Sequence, residues 1–335
     1  MKEFLNIGLG IVMFLFLITI HEGGHFLGAK LSGIKVNEFA VGMGPKIWGK
    51  QGGETLYSFR ALPIGGYVMM EGEETDSEDA RSYNNSKPWK RFLTILAGPA
   101  TNLIFAVLIF LIINLSTGVV SNKIESFSEN SPAQQAGMQI GDEIKSVNGS
   151  KTRIFPEIGD NLNKSKDKNK VEVVVKRAQK ELKFDIVPQE MEGRKVIGIT
   201  PLVEKGFLPS LGNAFNLTIF IMVQIWTSLI GLFSGVLGLE QLGGPVAVIG
   251  QVSTVASMGF DKFLFFAAMI SVNLGFFNLI PIPALDGSKL LFITIEMITG
   301  KPINRKFEQI ISIIGFLFLI GLMIIVTIKD VIKLF

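Results

Sequence analysis

Residues 5–20, 92–115, 263–285 and 309–328 of this chain carry no charged side chain. A hydrocarbon core about 30 Å thick is crossed by about 20 helical residues, so the last three suffice as they stand. The first suffices if its helix continues through the polar cluster that follows it. Apolar residues make up 48% of the 335, with 27 phenylalanines, too oily for a typical soluble enzyme. The net charge of +3 is small and mixed. With no basic run of the kind nucleic acid demands, a nucleic-acid partner is not expected. The chain has no cysteine, which excludes disulfides and thiolate metal sites.

The N-terminus resembles a secretory signal, with a lysine, an apolar stretch and small residues around Gly28 and Ala29. Its basic region is slight, and the apolar stretch runs straight into His21-Glu-Gly-Gly-His25, which cleavage would discard. Residues 1–32 are therefore expected to form a retained first span. Residues 33–91 contain two strand-like runs, 36–41 and 56–59, each followed by glycines, and then an acidic loop at 71–79. After a second span at 92–116 the pattern changes. From 117 to 203 short alternating runs are dense in lysine and glutamate. Val171-Glu-Val-Val-Val-Lys and Leu182-Lys-Phe-Asp-Ile-Val read as strands, with turns at Asp142, Asn148-Gly149 and Gly193. Such a stretch forms a small water-exposed domain.

Lysine and arginine set the orientation. Lys30, Lys35, Arg81, Lys87, Lys90 and Arg91 flank the loop between the first two spans. Lys301, Arg305 and Lys306 lie in the short loop 300–307, before the last span at 308–335. Placing both loops in the cytoplasm obeys the positive-inside rule and leaves both termini and the inserted domain outside. Residues 206–239 are also uncharged and long enough to cross, but carry Asn213, Asn216, Gln224, Thr227 and Ser228 and precede Gly243-Gly244-Pro245. One more crossing would invert everything after it. The region 204–260 is therefore read as an amphipathic or membrane-edge element. That leaves four spans, the third lying within 261–299.

The chain has two histidines, and both lie in His21-Glu-Gly-Gly-His25. Four residues is just over one helical turn, so the imidazoles share a face and can bind one metal ion. Glu22, beside the first histidine, is placed to act as a base toward water. Ionisable residues at the end of a span are costly and mark function. A hydrolytic zinc site takes three protein ligands and keeps one position open. Without a third histidine or a cysteine, the third ligand must be a carboxylate or an amide. Asp286 is the leading candidate. It lies in Asn278-Leu-Ile-Pro-Ile-Pro-Ala-Leu-Asp-Gly287, where two prolines break a helix at membrane depth and free carbonyls that need partners or a wet cavity. An interfacial turn is the plainer account of Asp-Gly. Four spans, however, bring His21 and Asp286 to the same, cytoplasmic half of the bilayer. Two readings compete with a protease. A non-enzymatic binding module with a structural metal site would not need Glu22 and would close its fourth position. A transporter built on the broken helix leaves the histidine spacing unexplained.

Jointly these motifs resemble the site-2 protease family of intramembrane zinc metalloproteases, of the bacterial RseP type. His21-Glu-Gly-Gly-His25 matches the family's zinc motif, and residues 278–287 match its Asn-x-x-Pro-x-Pro-x-Leu-Asp-Gly motif. Gly98-Pro99-Ala-Thr-Asn102 and Gly244-Pro245 match further signatures. The resemblance implies a polytopic α-helical membrane protein of about four transmembrane helices. It also implies a cytoplasmic-side β-hairpin or re-entrant loop and one inserted extracytoplasmic PDZ-like domain, in the bacterial cytoplasmic membrane. The segment from Ser131 to Gly149 resembles the centre of a bacterial PDZ domain, and the chain has room for one where some relatives carry two. It implies Zn2+ held by His21, His25 and Asp286, with Glu22 as general base and Asn278 contacting substrate or the developing oxyanion. Phe39-Ala-Val-Gly-Met-Gly-Pro45 resembles a β-loop that offers an edge strand to an extended substrate, which places Gly42, Met43 and Gly44 at the substrate. Asn102 would serve substrate binding or an interhelical hydrogen bond. The implied substrates are single-span membrane proteins, for example anti-sigma factors or signal-peptide remnants. The PDZ-like domain would either bind peptide termini or only block access as a size filter, and the lipid bilayer is the setting.

Overall fold

The computed structural model describes residues 2–73, 75–164, 170–238 and 243–332. Its elements, in order, are α1 (Lys2–Ser32), β1 (Val36–Gly52), β2 (Thr55–Met70), α2 (Pro88–Thr117), β3 (Val119–Phe127), α3 (Pro132–Gln135), β4 (Glu143–Val147), β5 (Ser150–Lys151), α4 (Phe155–Lys164), β6 (Val171–Arg177), β7 (Lys180–Ile186), β8 (Gln189–Met191), β9 (Arg194–Val196), β10 (Ile199–Glu204), α5 (Phe207–Phe233), α6 (Pro245–Ser257), α7 (Phe260–Leu279), α8 (Asp286–Thr299) and α9 (Arg305–Ile332). They fall into two compact units, residues 1–109 with 221–335, and residues 110–220.

In the first unit, α1 is organised along its length. Its N-terminal half contributes Met13 and Leu17 to a cluster with Val252 of α6 and Ala267 of α7. Its C-terminal end contributes Ala29 to another cluster with Val36, Met70, Tyr83, Ile95 and Leu290 and Ile293 of α8. Thus α6 and the start of α7 lie at one end of α1, and β1, β2 and α8 at the other. The prolines at 281 and 283 end α7 at Leu279, since proline removes a donor and restricts the residue before it. The chain then turns sharply, and Ala284 takes a φ of 75°, a conformation that costs a non-glycine residue roughly 1–3 kcal/mol. At the far end of the unit α9 closes onto α6, where the Asp330 carboxylate accepts the Ala247 amide at 3.1 Å and caps the α6 N-terminus.

The two long strands fold into four paired segments. Residues 36–41 are flanked on both sides, by 66–70 and by 56–59, and residues 46–52 pair with 55–60. The two outer edges therefore belong to 46–52 and 66–70. The segment 39–45, expected to offer the edge, is interior over 39–41. The sequence shows that these runs are strands but not which one lies outermost, because both carry similar residues.

Among the described residues five helices are long and apolar enough to cross a membrane, the fifth being α5, where a membrane-edge element was expected. Its polar residues do not interrupt it. Pro209 sits in the first turn, where a missing amide costs nothing. Thr218 and Thr227 donate to carbonyls four residues back. Asn213 accepts from Asn114 at 3.2 Å, and Asn114 also donates to the Ser210 carbonyl.

The second unit is built on a sheet of order β10-β3-β4-β6-β7, with β5 alongside β4. Val171, Val173 and Val175 alternate inward on β6 and meet Ile124, Val147 and Ile186, with Ile158 and Leu162 of α4 covering them. One ion pair ties its turns. Asp142, 1% exposed, accepts the Gln139 amide at 2.9 Å and both prongs of Arg177 at 2.7 and 2.8 Å. Burial raises the Asp142 carboxyl, but Arg177 and the Gln139 amide outweigh it and hold it below the ordinary aspartate value. As pH falls, the unfolded chain takes up the proton first. The pair's stabilisation is complete above about pH 4 and is lost as pH drops through the lower folded value. Asp142→Asn is expected to destabilise this unit by about 2 kcal/mol at neutral pH, read as faster hydrogen exchange of β4 and β6, and to leave it nearly unchanged in strong acid.

Candidate metal centre

α1 carries His21 and His25 on one face, as their spacing requires. Their Nε2 atoms lie 3.2 Å apart, and Asp286 Oδ2 lies 3.0 Å from the first and 3.1 Å from the second. Both histidines are buried. The aspartate arrives from the first turn of α8, immediately after the proline-broken turn. No other residue in the described chain completes a cluster of three such ligand atoms.

The partners of the two rings decide what faces inward. His25 Nδ1 donates to the Thr94 carbonyl at 3.0 Å, so its Nε2 presents a lone pair. His21 Nδ1 lies 3.4 Å from the Asn102 amide, whose Oδ1 is buried without a partner. Turning the amide over, an assignment that hydrogen-bonding must settle, lets Oδ1 accept from His21 Nδ1–H and leaves that Nε2 as a lone pair too. Two nitrogen lone pairs and a carboxylate oxygen then converge on one point. Tetrahedral zinc with bonds of about 2.0–2.1 Å separates its ligands by about 3.3 Å, close to these spacings. The donor set fits the metal.

Close helix packing builds the site. A Cβ at Gly24 would lie 2.3 Å from the Ala97 carbonyl, and one at Gly98 would lie 2.3 Å from His25 Nε2. Gly24 thus lets α1 approach α2, as small residues do between helices in membranes. Gly98 clears the space that His25 needs. Glu22 lies beside the sheet, with its Cγ 3.3 Å from where a Cβ on Gly66 would be. A cavity of about 1180 Å³ joins His21, Glu22, His25 and Asp286 to Tyr67, Val68, Asn278 and Lys289.

Asn278 lines that cavity, and its side-chain amide makes no hydrogen bond among the described residues. Met43 also lines it, at the end of a turn in which Gly42 and Gly44 take φ of 85° and 83°. These two glycines form the turn and do not line the cavity. Thr94 and the Gly65-Gly66 edge were not singled out from sequence, although Pro63-Ile-Gly-Gly-Tyr67 is a visible break in a strand pattern. Charged pairs surround the cavity's other end. Lys289 meets Glu73 at 2.7 Å, Arg91 meets Glu296 at 2.5 Å, and Arg305 pairs with Asp76.

A histidine pair on an apolar helix, closed by an aspartate from a broken one, defines a metallopeptidase centre embedded among membrane helices. The profile of peptidase family M50 matches residues 9–322, and the chain belongs to that family of site-2-type metallopeptidases. A protein of Clostridium acetobutylicum named as a candidate zinc metalloprotease is 39% identical, covering 98% of each chain. The regulator of sigma-W protease RasP of Bacillus subtilis is 33% identical, covering 97% of this chain and 98% of its own. Among solved structures, the PDZ domain of the SdrC-like protein of Listeria monocytogenes covers 25% of this chain and 87% of its own, at 24% identity and a TM-score of 0.21. The chain is thus an intramembrane zinc protease of the site-2 type and a multi-pass membrane protein.

Asn102→Ala is expected to weaken zinc about 10–100-fold, and Gly98→Ala at least as much, in competition with a chromophoric chelator. Helical content by circular dichroism should stay that of the wild type in both.

Proposed function

We propose that the chain cuts peptide bonds within the transmembrane segments of single-span membrane proteins. The observation that carries this reading is the position of Glu22, between the His21–His25–Asp286 cluster and the open edge of the sheet at 66–70. A helix hides its carbonyls in hydrogen bonds, so a substrate must unwind before it is cut. Among the described residues no strand lies beyond the outer side of 66–70, and an extended substrate laid there regains its lost bonds by β-augmentation. Its backbone then passes Glu22.

His21, His25 and Asp286 are the residues that hold zinc, which when bound polarises the scissile carbonyl and makes water nucleophilic near neutral pH. Glu22 accepts the water's proton on its carboxylate and hands it to the departing amine. The free amide of Asn278 is suited to the substrate carbonyl or the charge that develops on it. Asn102 holds the His21 ring. Met43 borders the substrate, and Gly42 and Gly44 shape the turn that brings it there. A structural metal site would have no use for Glu22 or for an open strand edge. RasP is named for regulation of sigma-W, which makes single-span regulators such as anti-sigma factors the first substrates to try.

The pairs Lys289–Glu73 and Arg305–Asp76 hold the first turns of α8 and α9 beside the acidic loop 71–79. This supports placing both at the cytoplasmic face, and α6 with the start of α7 at the opposite one. The amides and hydroxyls of Asn213, Asn216, Gln224, Thr227 and Ser228 along α5 support a membrane-edge position for it. The PDZ-like unit then lies outside, where it meets the extracytoplasmic remnant of a substrate and its terminus.

Wild type and Glu22→Gln are compared on a single-span peptide in detergent, with and without a chelator. Cleavage should fall by about 10²–10⁴ in the variant and vanish on chelation. Cleavage that persists in metal-loaded Glu22→Gln would remove Glu22 as the base. In this cysteine-free chain, cysteines placed at Ser77 and Asn304 should react with a membrane-impermeant maleimide from one face and a cysteine at Ser234 from the other. Labelling of all three from one face would mean that α5 crosses.

A further inference from the structure

Glu38 lies in the middle of the sheet and is 7% exposed. A buried carboxylate costs several kcal/mol unless it is paired and fully hydrogen-bonded, so its partners matter. Its Oε1 accepts from Ser58 Oγ at 2.5 Å and from Arg60 Nη2 at 2.6 Å. Arg60 reaches further. Its Nη1 donates to the Gly44 carbonyl at 3.0 Å, and its guanidinium lies 5.3 Å from the centre of the Tyr67 ring. One cluster thus joins three of the four segments, 36–41, 55–60 and 62–70, to the turn that carries Met43.

None of these groups touches the metal centre, yet Tyr67 follows Gly66, the residue beside Glu22. The sheet needs such a tie. Gly42, Gly44 and Gly65 all have positive φ, and glycine-rich strands specify register weakly. A slip of one residue moves the edge by about 3.3 Å and reverses its faces. Displacement of about 1 Å at reacting atoms already costs about a hundredfold in rate.

We propose that Glu38 and Arg60 are positioning residues for proteolysis, holding Tyr67 and Gly44 so that the 65–70 edge presents the substrate to Glu22 in one register. This rests on the edge pairing proposed above. The pair acts on where the chain is cut as well as how fast. Arg60 is suited to the task because its planar fork serves Glu38 and the Gly44 carbonyl at once, which a lysine cannot do.

The test uses the full chain with Glu22→Gln and Val68→Cys, and a single-span peptide that the wild type cleaves, carrying one cysteine at successive positions. With Glu38 and Arg60 intact, one peptide position should dominate the disulfide cross-link. Arg60→Met should spread the cross-link to positions two residues away. With Glu22 restored, it should yield a ladder of products by mass spectrometry, cut at the original bond about tenfold more slowly or worse. The double variant Glu38→Leu/Arg60→Met leaves no lone buried charge and should show the same spread even if Arg60→Met folds poorly. An unchanged cross-link and a single product in both variants would overturn the positioning role while leaving edge pairing intact. If Val68→Cys alone never cross-links, edge pairing itself fails, and the proposal with it.

Discussion

Two imidazoles one helical turn apart cannot complete a metal site; a third ligand has to reach them from another helix, at a depth where every unpaired polar group is expensive. The structure depends on how that is done. Asp286 reaches Nε2 of both histidines because α7 stops at two prolines and α8 begins with an acid in its first turn, where the helix dipole favours negative charge. The strained φ at Ala284 belongs to this turn. The close approach of α1 to α2 at Gly24 and Gly98, and the carbonyl of Thr94 behind His25, place the other two ligands to meet it.

The same arrangement explains why the sheet belongs to this unit. Chemistry at the cluster requires an extended chain, and a bilayer offers extended chains no partners. The segment 66–70 is a free edge beside the one carboxylate of the site that has no histidine to bond. Free edges invite aggregation in soluble proteins and are usually blunted. Here the edge opens on a cavity, and its register is held from behind by Glu38 and Arg60.

What was legible in the sequence follows the range of the interaction. His21, Glu22 and His25 are readable because a four-residue spacing on a helix has one geometric meaning. Asp286 is readable because prolines at membrane depth imply a break with a purpose. The order of segments in the sheet is not readable, since 36–41 and 66–70 carry similar residues and their places are decided by pairings far apart in the chain. Asn102 allows several roles as a lone amide in a span, and only its distance to His21 Nδ1 selects one. For α5, an uncharged run of spanning length has the same composition whether it crosses or lies along the membrane.

The ligands sit on two different helices, and this constrains how the molecule can breathe. With a bond tolerance of about 0.2 Å, an ion held by His21, His25 and Asp286 would act as a bolt between α1 and α8. Motions that part those helices would loosen the cluster's hold on the ion. β1 and β2 border the cavity and carry no residue of the cluster, so a shift of that hairpin would leave the three ligand atoms where they are.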